Sequence, residues 1–379
     1  MTLRPLREVL EPVDDFVTVS PDATYPMMGV RSFGRGAFAA ADLHGAATQY
    51  PRFRCVTENM LVYPKLMAWE GAFAIVPESL SGRFVSPEFV TFRVHDAAPR
   101  YVHHLVSWEG FRERFGGAAT GTNARRRRLS PDRLLALRVP VPDQREQQRI
   151  ADHLDAVEAT TAQARSTSVS TETFYRHLVD RLVDQVSIGA DTRRLGEIVR
   201  LRRDQVAVTD DEEYEEIGLR SFGKGIFVKA PVSGASIGSK RVFHVRPGDL
   251  VVSNVFGWEG AVAVAQPTHR GLIGSHRFMT WEPRDVTQVF TGYLSYYLVS
   301  ETGLGLLRRA SPGSAGRNRT LSITNFEAIR VPLPSPETQR SMVSLLDRAR
   351  SAMTLSIRRE SLSNALIPAA RNEVFNAML

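Results

Sequence analysis

Tyr25 to Phe38 reads YPMMGVRSFGRGAF, and Tyr214 to Phe227 reads YEEIGLRSFGKGIF. Eight of these fourteen positions are identical, where unrelated sequence would match at about one. The offset of 189 residues holds without a gap from Leu6 and Leu195, through Trp69-Glu70-Gly71-Ala72 and Trp258-Glu259-Gly260-Ala261, to Ser86 and Ser275. Farther on, Gly121 pairs with Gly313, Arg125 with Arg317 and Arg138-Val139-Pro140 with Arg330-Val331-Pro332 at an offset of 192, so the second copy gains three residues between Trp281 and Gly313. Two such repeats account for nearly all of the 379 residues, and the chain is expected to fold as two copies of one unit.

Within each copy the same order recurs. Short β-like runs come first: Leu61-Val62-Tyr63, Ala72 to Val76 and Phe89 to Val94, matched by Leu250-Val251-Val252, Ala261 to Ala265 and Phe278 to Trp281,. Helical spacing follows around Tyr101 to Phe115 and Thr291 to Arg309, which makes each body α+β,. A proline-spaced exit, Val139-Pro140-Val141-Pro142 or Val331-Pro332-Leu333-Pro334, keeps the backbone extended,. Then a long helix is expected. Asp143 with Glu146 reads as a capping box, and Ser335 with Pro336 as a cap followed by proline at the first helical position,.

In the first helix Ile150, Leu154, Val157, Ala164, Phe174, Leu178, Leu182 and Val186 form one narrow apolar stripe,. Met342, Leu345, Ala349, Met353, Ser356, Leu362 and Leu366 follow the spacing less regularly in the second. A narrow stripe suits a helix pair, whose interface is assigned to Ile150, Leu154, Val157, Leu178 and Leu182 with Met342, Leu346, Ala349 and Met353. The run Ser166 to Thr173 is poor in helix formers and is expected to fray or kink, and Pro368 to kink or end the second rod,. The division expected is a body over 1–143, a helix over 144–186, a second body over 187–335 and a second helix over 336–379.

Several function classes are excluded or disfavoured. Cys55 is the only cysteine, which rules out an internal disulfide, suits the reducing cytoplasm and, with no Cys/His ligand spacing among nine histidines, leaves no expected zinc site,. The mixed, charged start of the chain lacks a signal-peptide core, and no apolar run approaches the roughly 18 residues that would span a membrane,. The adenine-methyltransferase Asn/Asp-Pro-Pro-aromatic motif is missing, because the chain has no Pro-Pro pair. None of the four lysines follows a carboxylate by two residues, as a PD-(D/E)xK nuclease would need. Gly218 to Lys224 imitates a phosphate-binding loop but continues with Gly225 where Ser or Thr would hold magnesium,.

The cations favour an anionic partner. Net charge is +7, and 44 of the 48 basic residues are arginine, the side chain that forks onto phosphates and guanine edges; a GC-rich coding sequence would give the same bias, so only clusters count. Arg125, Arg126, Arg127 and Arg128 sit in a Gly/Thr/Asn-rich segment, matched by Arg317 and Arg319 in the second copy. Such a loop suits phosphate contact. Gly34, Gly36, Gly223 and Gly225 are expected to make tight turns that present Arg31, Arg35, Arg220 and Lys224,. Lys240 and Arg241 are weaker candidates, as is the pair His276-Arg277. Trp69 and Trp258 are expected to anchor the core of each body, with a place near DNA as the alternative,.

Two diverged globular copies, each leaving through V-P-x-P into a long helix that begins Glu146-Gln147-Gln148-Arg149-Ile150 in the first copy, resemble the specificity subunit of type I restriction-modification systems. The R-S-F-G-(R/K)-G, W-E-G-A and S-P-E-F-V-T-F elements are similar to target recognition domains of that family. The second copy departs at Thr338-Gln339 and Met342. The resemblance implies an α+β fold: two tandem target recognition domains separated by two long antiparallel coiled-coil-like helices, with a pseudo-two-fold internal repeat. It implies a non-catalytic subunit that reads a bipartite double-stranded DNA target and joins two methyltransferase subunits and a restriction subunit. S-adenosylmethionine, ATP and magnesium would then belong to those partners, with no cofactor on this chain and no membrane association. Divergence between Ala39 to Asn59 and Val228 to Asp249 implies different half-sites. A recognition subunit of another modification system and a protein-interaction scaffold remain alternatives.

Overall fold

The structure is a computed structural model and describes residues 3–116, 128–313 and 319–379. Two compact units emerge: Met1–Ser166 with Ile357–Leu379, and Thr167–Ser356. Each unit therefore takes one body and part of both long helices.

The β-like runs of the first unit form an antiparallel sheet in the order Ala74–Ile75, Met60–Pro64, Phe89–Val94, Leu10–Pro12. The second unit repeats it as Val262–Val264, Leu250–Ser253, Phe278–Pro283, Val199–Arg202. Register is conserved as well: Val62 faces Thr91, and Val251 faces Thr280. The central strands are apolar without alternation because both faces are covered. Leu61 and Tyr63 point into the helical core with Tyr101, Trp108 and Phe111, while Val62 joins Met28 and Val56 in a smaller lobe core. Leu250 and Val252 against Val251 repeat the division.

Each predicted helical patch is two helices, Pro99–Ser107 with Glu109–Gly116 and Thr291–Val299 with Glu301–Ala310. The three residues gained by the second copy fall in the connection between the last sheet strand and the first of these helices, since Trp281 still matches Phe92 at 189 while Phe290 matches Ala98 at 192. The buried tryptophans are Trp108 and Trp281. Trp69 and Trp258, expected to anchor the cores, are half-buried on 3-10 turns, whose following Gly71 and Gly260 take φ of 74° and 76°. Those glycines are needed for a left-handed cap.

The proline-spaced exits are strands. Arg138–Pro140 pairs with Leu3–Pro5, and Arg330–Leu333 with Asp191–Arg194, two-stranded ribbons in which a proline without N–H is tolerated,. Asp143 Oδ1 accepts from the Glu146 N–H at 2.9 Å, and Ser335 Oγ from the Thr338 N–H at 3.2 Å, so both helices start as expected,. The reciprocal half of the box is not made: Glu146 instead grips Arg149 at 2.6 and 2.7 Å.

Gln144–Ser187 is one unbroken helix of 44 residues, about 66 Å long at 1.5 Å per residue,. The expected weakness at Ser166 to Thr173 does not interrupt it; Ser168 is buried on the stripe, and Thr171 Oγ1 satisfies itself on the Thr167 carbonyl at 2.7 Å,. Its buried stripe runs through Ala164, Ser168, Val179 and Val183; Phe174, placed on the stripe by its spacing, is 63% exposed. In the second rod Pro336–Ser363 stops and Leu366–Asn376 begins anew. Pro368 brings no N–H for the carbonyl four residues back, which accounts for the break. Leu345 and Leu362 face outward, the latter 66% exposed.

Candidate nucleic-acid interface

The repeated fourteen residues are a hairpin, Met28–Val30 with Ala37–Ala39 and Ile217–Leu219 with Ile226–Val228. The Phe38 ring lies across Gly29 and the Phe227 ring across Gly218, where a Cβ would come closer than 3.0 Å. Arg31 and Arg220 stack over those rings at 4.4 and 4.6 Å,. Gly34, Gly36, Gly223 and Gly225 all have positive φ, between 63° and 86°. The turn and the W-E-G element are joined: Phe33 and Gly34 N–H donate to the Glu70 and Gly71 carbonyls at 2.8 and 3.0 Å, and Phe222 and Gly223 repeat this on Glu259 and Gly260 at 2.9 Å each. Ser32 and Ser221 hydroxyls donate to the Glu70 and Glu259 carboxylates at 2.7 Å. A strand, not a helix, follows Lys224, so the phosphate-loop imitation ends in the hairpin.

The described residues that follow the two arginine-rich stretches lie beside the same element. Leu129 N–H donates to the Lys65 carbonyl at 3.0 Å and Leu321 N–H to the Asn254 carbonyl at 2.8 Å, and both leucines are buried. Arg128 is exposed and meets Glu88 at 3.3 Å. Arg319 stacks over Trp258 at 5.4 Å. Arg125, Arg126, Arg127 and Arg317 lie outside the described residues.

The diverged lobes carry a second cationic feature, of which sequence reasoning found Lys240 and Arg241 but missed Arg52, Arg54 and Arg203. Arg52 and Arg54 stack on Phe16 at 3.8 and 4.2 Å, with Arg54 bound to Asp14 at 2.5 Å. In the second unit Arg203 stacks over Phe243 at 4.7 Å and donates to the Phe278 and His276 carbonyls. Burial, then neighbouring Arg241, holds the Arg203 pKa below its usual value. Lys240 and Arg241 are exposed here. The R-F-R run at 52–54 was the legible signal.

The helix stripe packs on the bodies as well as on the opposite helix. Ile150 and Leu154 share a core with Tyr101, Trp108 and Phe375, with Val157 half-buried nearby on the helix. Leu178, Leu182, Met342 and Leu346 join the second core; Ala349 and Met353 are half-buried. In the first unit the helices run antiparallel, since Glu158 meets Arg371 and Thr161 the Ser363 carbonyl; in the second Tyr175 meets Arg350.

Two buried glutamines tie helix to body, and they too were missed. Gln147 accepts from the Ala98 N–H and donates to the Pro142 carbonyl, both at 2.8 Å. Gln339 accepts from the Phe290 N–H at 2.9 Å and donates to the Gln288 and Pro334 carbonyls at 2.9 and 2.8 Å. Beside them Tyr101 and Tyr293 hydroxyls donate to the Pro140 and Pro332 carbonyls.

One titratable cluster sits at the first junction. His104 Nδ1 accepts from Arg371 at 3.2 Å, so Nε2–H donates to Asp155 at 2.8 Å. Burial, then His103 and Arg371, pushes the His104 pKa down to about 4. The His103 hydrogen bond and the surrounding cations hold Glu158 at about 2. Ligand atoms of His103, His104 and Glu158 lie within 4.8 Å of one another, but the Arg371 guanidinium already occupies the cationic place. Among the described residues no helix is long and apolar enough to cross a membrane.

No family model matches the chain, and none of the curated proteins matches it in sequence. Solved structures do. The HsdS subunit from Thermoanaerobacter tengcongensis is similar over 100% of this chain and 97% of its own, with TM-score 0.53 and 20% identity. A chain from a structure described as the basis of complex assembly and conformational transition of the type I R-M system gives TM-score 0.61 at 20% identity, covering 100% of this chain and 98% of that one. The type I restriction-modification S subunit from M. genitalium gives 0.58 at 11%, covering 99% and 96%. The chain thus has the fold of a full-length type I specificity subunit: two tandem mixed helix-and-strand domains with long helices.

Proposed function

We propose that this chain is the DNA-specificity subunit of a type I restriction-modification complex, non-catalytic in itself. The observation that carries the reading is the end-to-end likeness to such subunits, supported by an arginine-rich stretch of sequence that ends at the same backbone bond in each unit. Each unit would read one half of a bipartite double-stranded target. The loops Arg125 to Arg128 and Arg317 to Arg319 supply sequence-independent phosphate contacts. The diverged lobes, with Arg52 and Arg54 in one unit and Arg203, Lys240 and Arg241 in the other, supply what differs between half-sites. Two methyltransferase subunits and a restriction subunit complete the assembly, and they hold S-adenosylmethionine, ATP and magnesium. The cytoplasm is the compartment where such a complex meets DNA.

Modification-sensitive sequencing of DNA from cells carrying the reconstituted complex tests this. Two different half-sites separated by unread bases are expected; a single continuous or perfectly palindromic motif would refute the reading. Replacing Arg125 to Arg128 with alanine should weaken binding and reduce the slope of log affinity against log salt by about 0.9 for each phosphate that is no longer neutralised. An unchanged slope would return that loop to a solvated surface.

A further inference from the structure

Seven of the eight identities in the repeated hairpin have a structural cause. Tyr25 and Tyr214 hydroxyls accept the Ser20 and Thr209 N–H at 2.8 and 2.9 Å. Gly29, Arg31 and Phe38 form the ring stack, Ser32 holds Glu70, and Gly34 and Gly36 take left-handed φ, with the same roles repeated in the second unit. Phe33 and Phe222 are left over. They stand at φ of 63° and 60°, a region costly for a bulky side chain, and are 57% and 62% exposed,. Neither ring belongs to a hydrophobic core. The backbone bonds to Glu70 and Glu259 would be made by glycine equally well.

We propose that Phe33 and Phe222 are the anchors by which each unit docks one copy of the same protein partner, a methyltransferase subunit under the function proposed above, on which this inference rests. Whatever touches both rings must be common to both units. Base sequence is not common, because the lobes that would read it have diverged. Two candidates remain, the DNA backbone and a partner present twice.

The surroundings favour the protein. Exposed Glu301, on the helix beside Phe222, repels phosphate, and its counterpart Glu109 beside Phe33 is paired with Arg112 at 2.9 Å. In the second unit a cleft lined by Asp180, Asp184, Glu301 and Arg309 lies on the helix whose Leu304 abuts Gly260, next to Phe222. In the first unit Phe33 borders a cleft of about 200 Å³ with Ser107, Trp108, Arg112 and Pro368. Its ring is flanked by Arg35 and Arg112 at 5.6 and 5.7 Å. An exposed aromatic ring beside a cleft has the make-up of a binding hot spot, and the partner surface that fits both rings is an apolar pocket. Arg35 and Lys224, read from the sequence as DNA contacts, then face that partner.

The test is full-length chain co-expressed with its methyltransferase, as wild type, as Phe33→Gly, as Phe222→Gly and as the double variant. Glycine accepts the turn conformation, so melting temperature should not fall. Native mass spectrometry should find two methyltransferases on the wild type, one on each single variant and none on the double at concentrations that saturate the wild type, a loss of at least about 30-fold per site. Two copies retained on the double variant would overturn the anchor while leaving the specificity-subunit reading intact. Retained methyltransferase with weakened DNA binding would place the rings on DNA and overturn it equally. A wild-type chain that recruits no methyltransferase would instead refute the function on which it rests.

Discussion

Gln339 is fully buried, and its amide serves three backbone groups, one N–H and two carbonyls, at 2.8 to 2.9 Å. Gln339→Met keeps the length and removes all three bonds. At about 1 kcal/mol net for each bond, the substitution should cost the second unit about 3 kcal/mol. Gln147→Met removes only two such bonds in the first unit, and should cost about 2 kcal/mol. Exposed Gln148→Met should change stability by less than about 0.5 kcal/mol. Because two units need not unfold together, the measurement is native-state hydrogen exchange resolved by mass spectrometry, read at the segments around Phe290 and Ala98. A loss below about 1 kcal/mol at Gln339, or a larger loss at Gln147 than at Gln339, would show that these amides are not what joins helix to body.

Acid should open the first unit before the second. His104 is buried neutral with a pKa of about 4, below its unfolded value of about 6.5, so its contribution is complete above pH 6.5 and is lost as pH falls toward 4, by up to about 3 kcal/mol. Glu158, held at about 2, adds a further loss below about pH 4.5. The second unit has Tyr296 at the equivalent place, so exchange at pH 5 should rise around residues 99–107 and not around 291–299; equal rises would refute the assignment. Gly218→Ala should cost about 1 to 3 kcal/mol by displacing the Phe227 ring,, and Gly218→Ala with Phe227→Leu should recover most of it in thermal melts. Gly225→Ala, with open space around it but φ of 86°, should cost about 1 kcal/mol and gain nothing from the second change.

How much of this could be read from the residues depends on the range of the interaction. The sheet strands, the exits and both helix starts were legible because period, proline and caps are local signals. The hairpin turns were legible because glycine at positive φ leaves its mark in the sequence. Phe174 and Leu362 were misplaced because steps of three and four fit more than one stripe, and which one is buried depends on the bodies the helix touches. Trp69 and Trp258 misled because size suggests core, whereas a 3-10 turn after a central strand holds them only half-buried. Gln147 lay inside the quoted E-Q element, yet nothing local says that the glutamine, rather than the glutamate, is the buried partner of a backbone forty-nine residues away.

The junctions also show what had to diverge. The backbone scheme is the same in both units: the glutamine on the helix and the tyrosine on the exit carbonyl recur at an offset of 192. A duplicated socket with a duplicated helix would leave each helix end free to enter either socket. The side chains at the seam remove that ambiguity. In the first socket His104 and Glu158 await a cation, which Arg371 of the last helix brings. In the second, Tyr296 bonds Asp347 at 2.6 Å, and Arg350 at Glu158's place stacks on it and bonds Tyr175 at 3.0 Å. Buried Arg371 in the second socket would meet Arg350 with no carboxylate to pair it, and Tyr175 in the first would leave half-buried Glu158 and buried His104 without the guanidinium that bonds both. An unpaired buried charge costs more than the pair contributes, so the polar seam assigns each helix end to its own domain while the shared backbone bonds supply the stability.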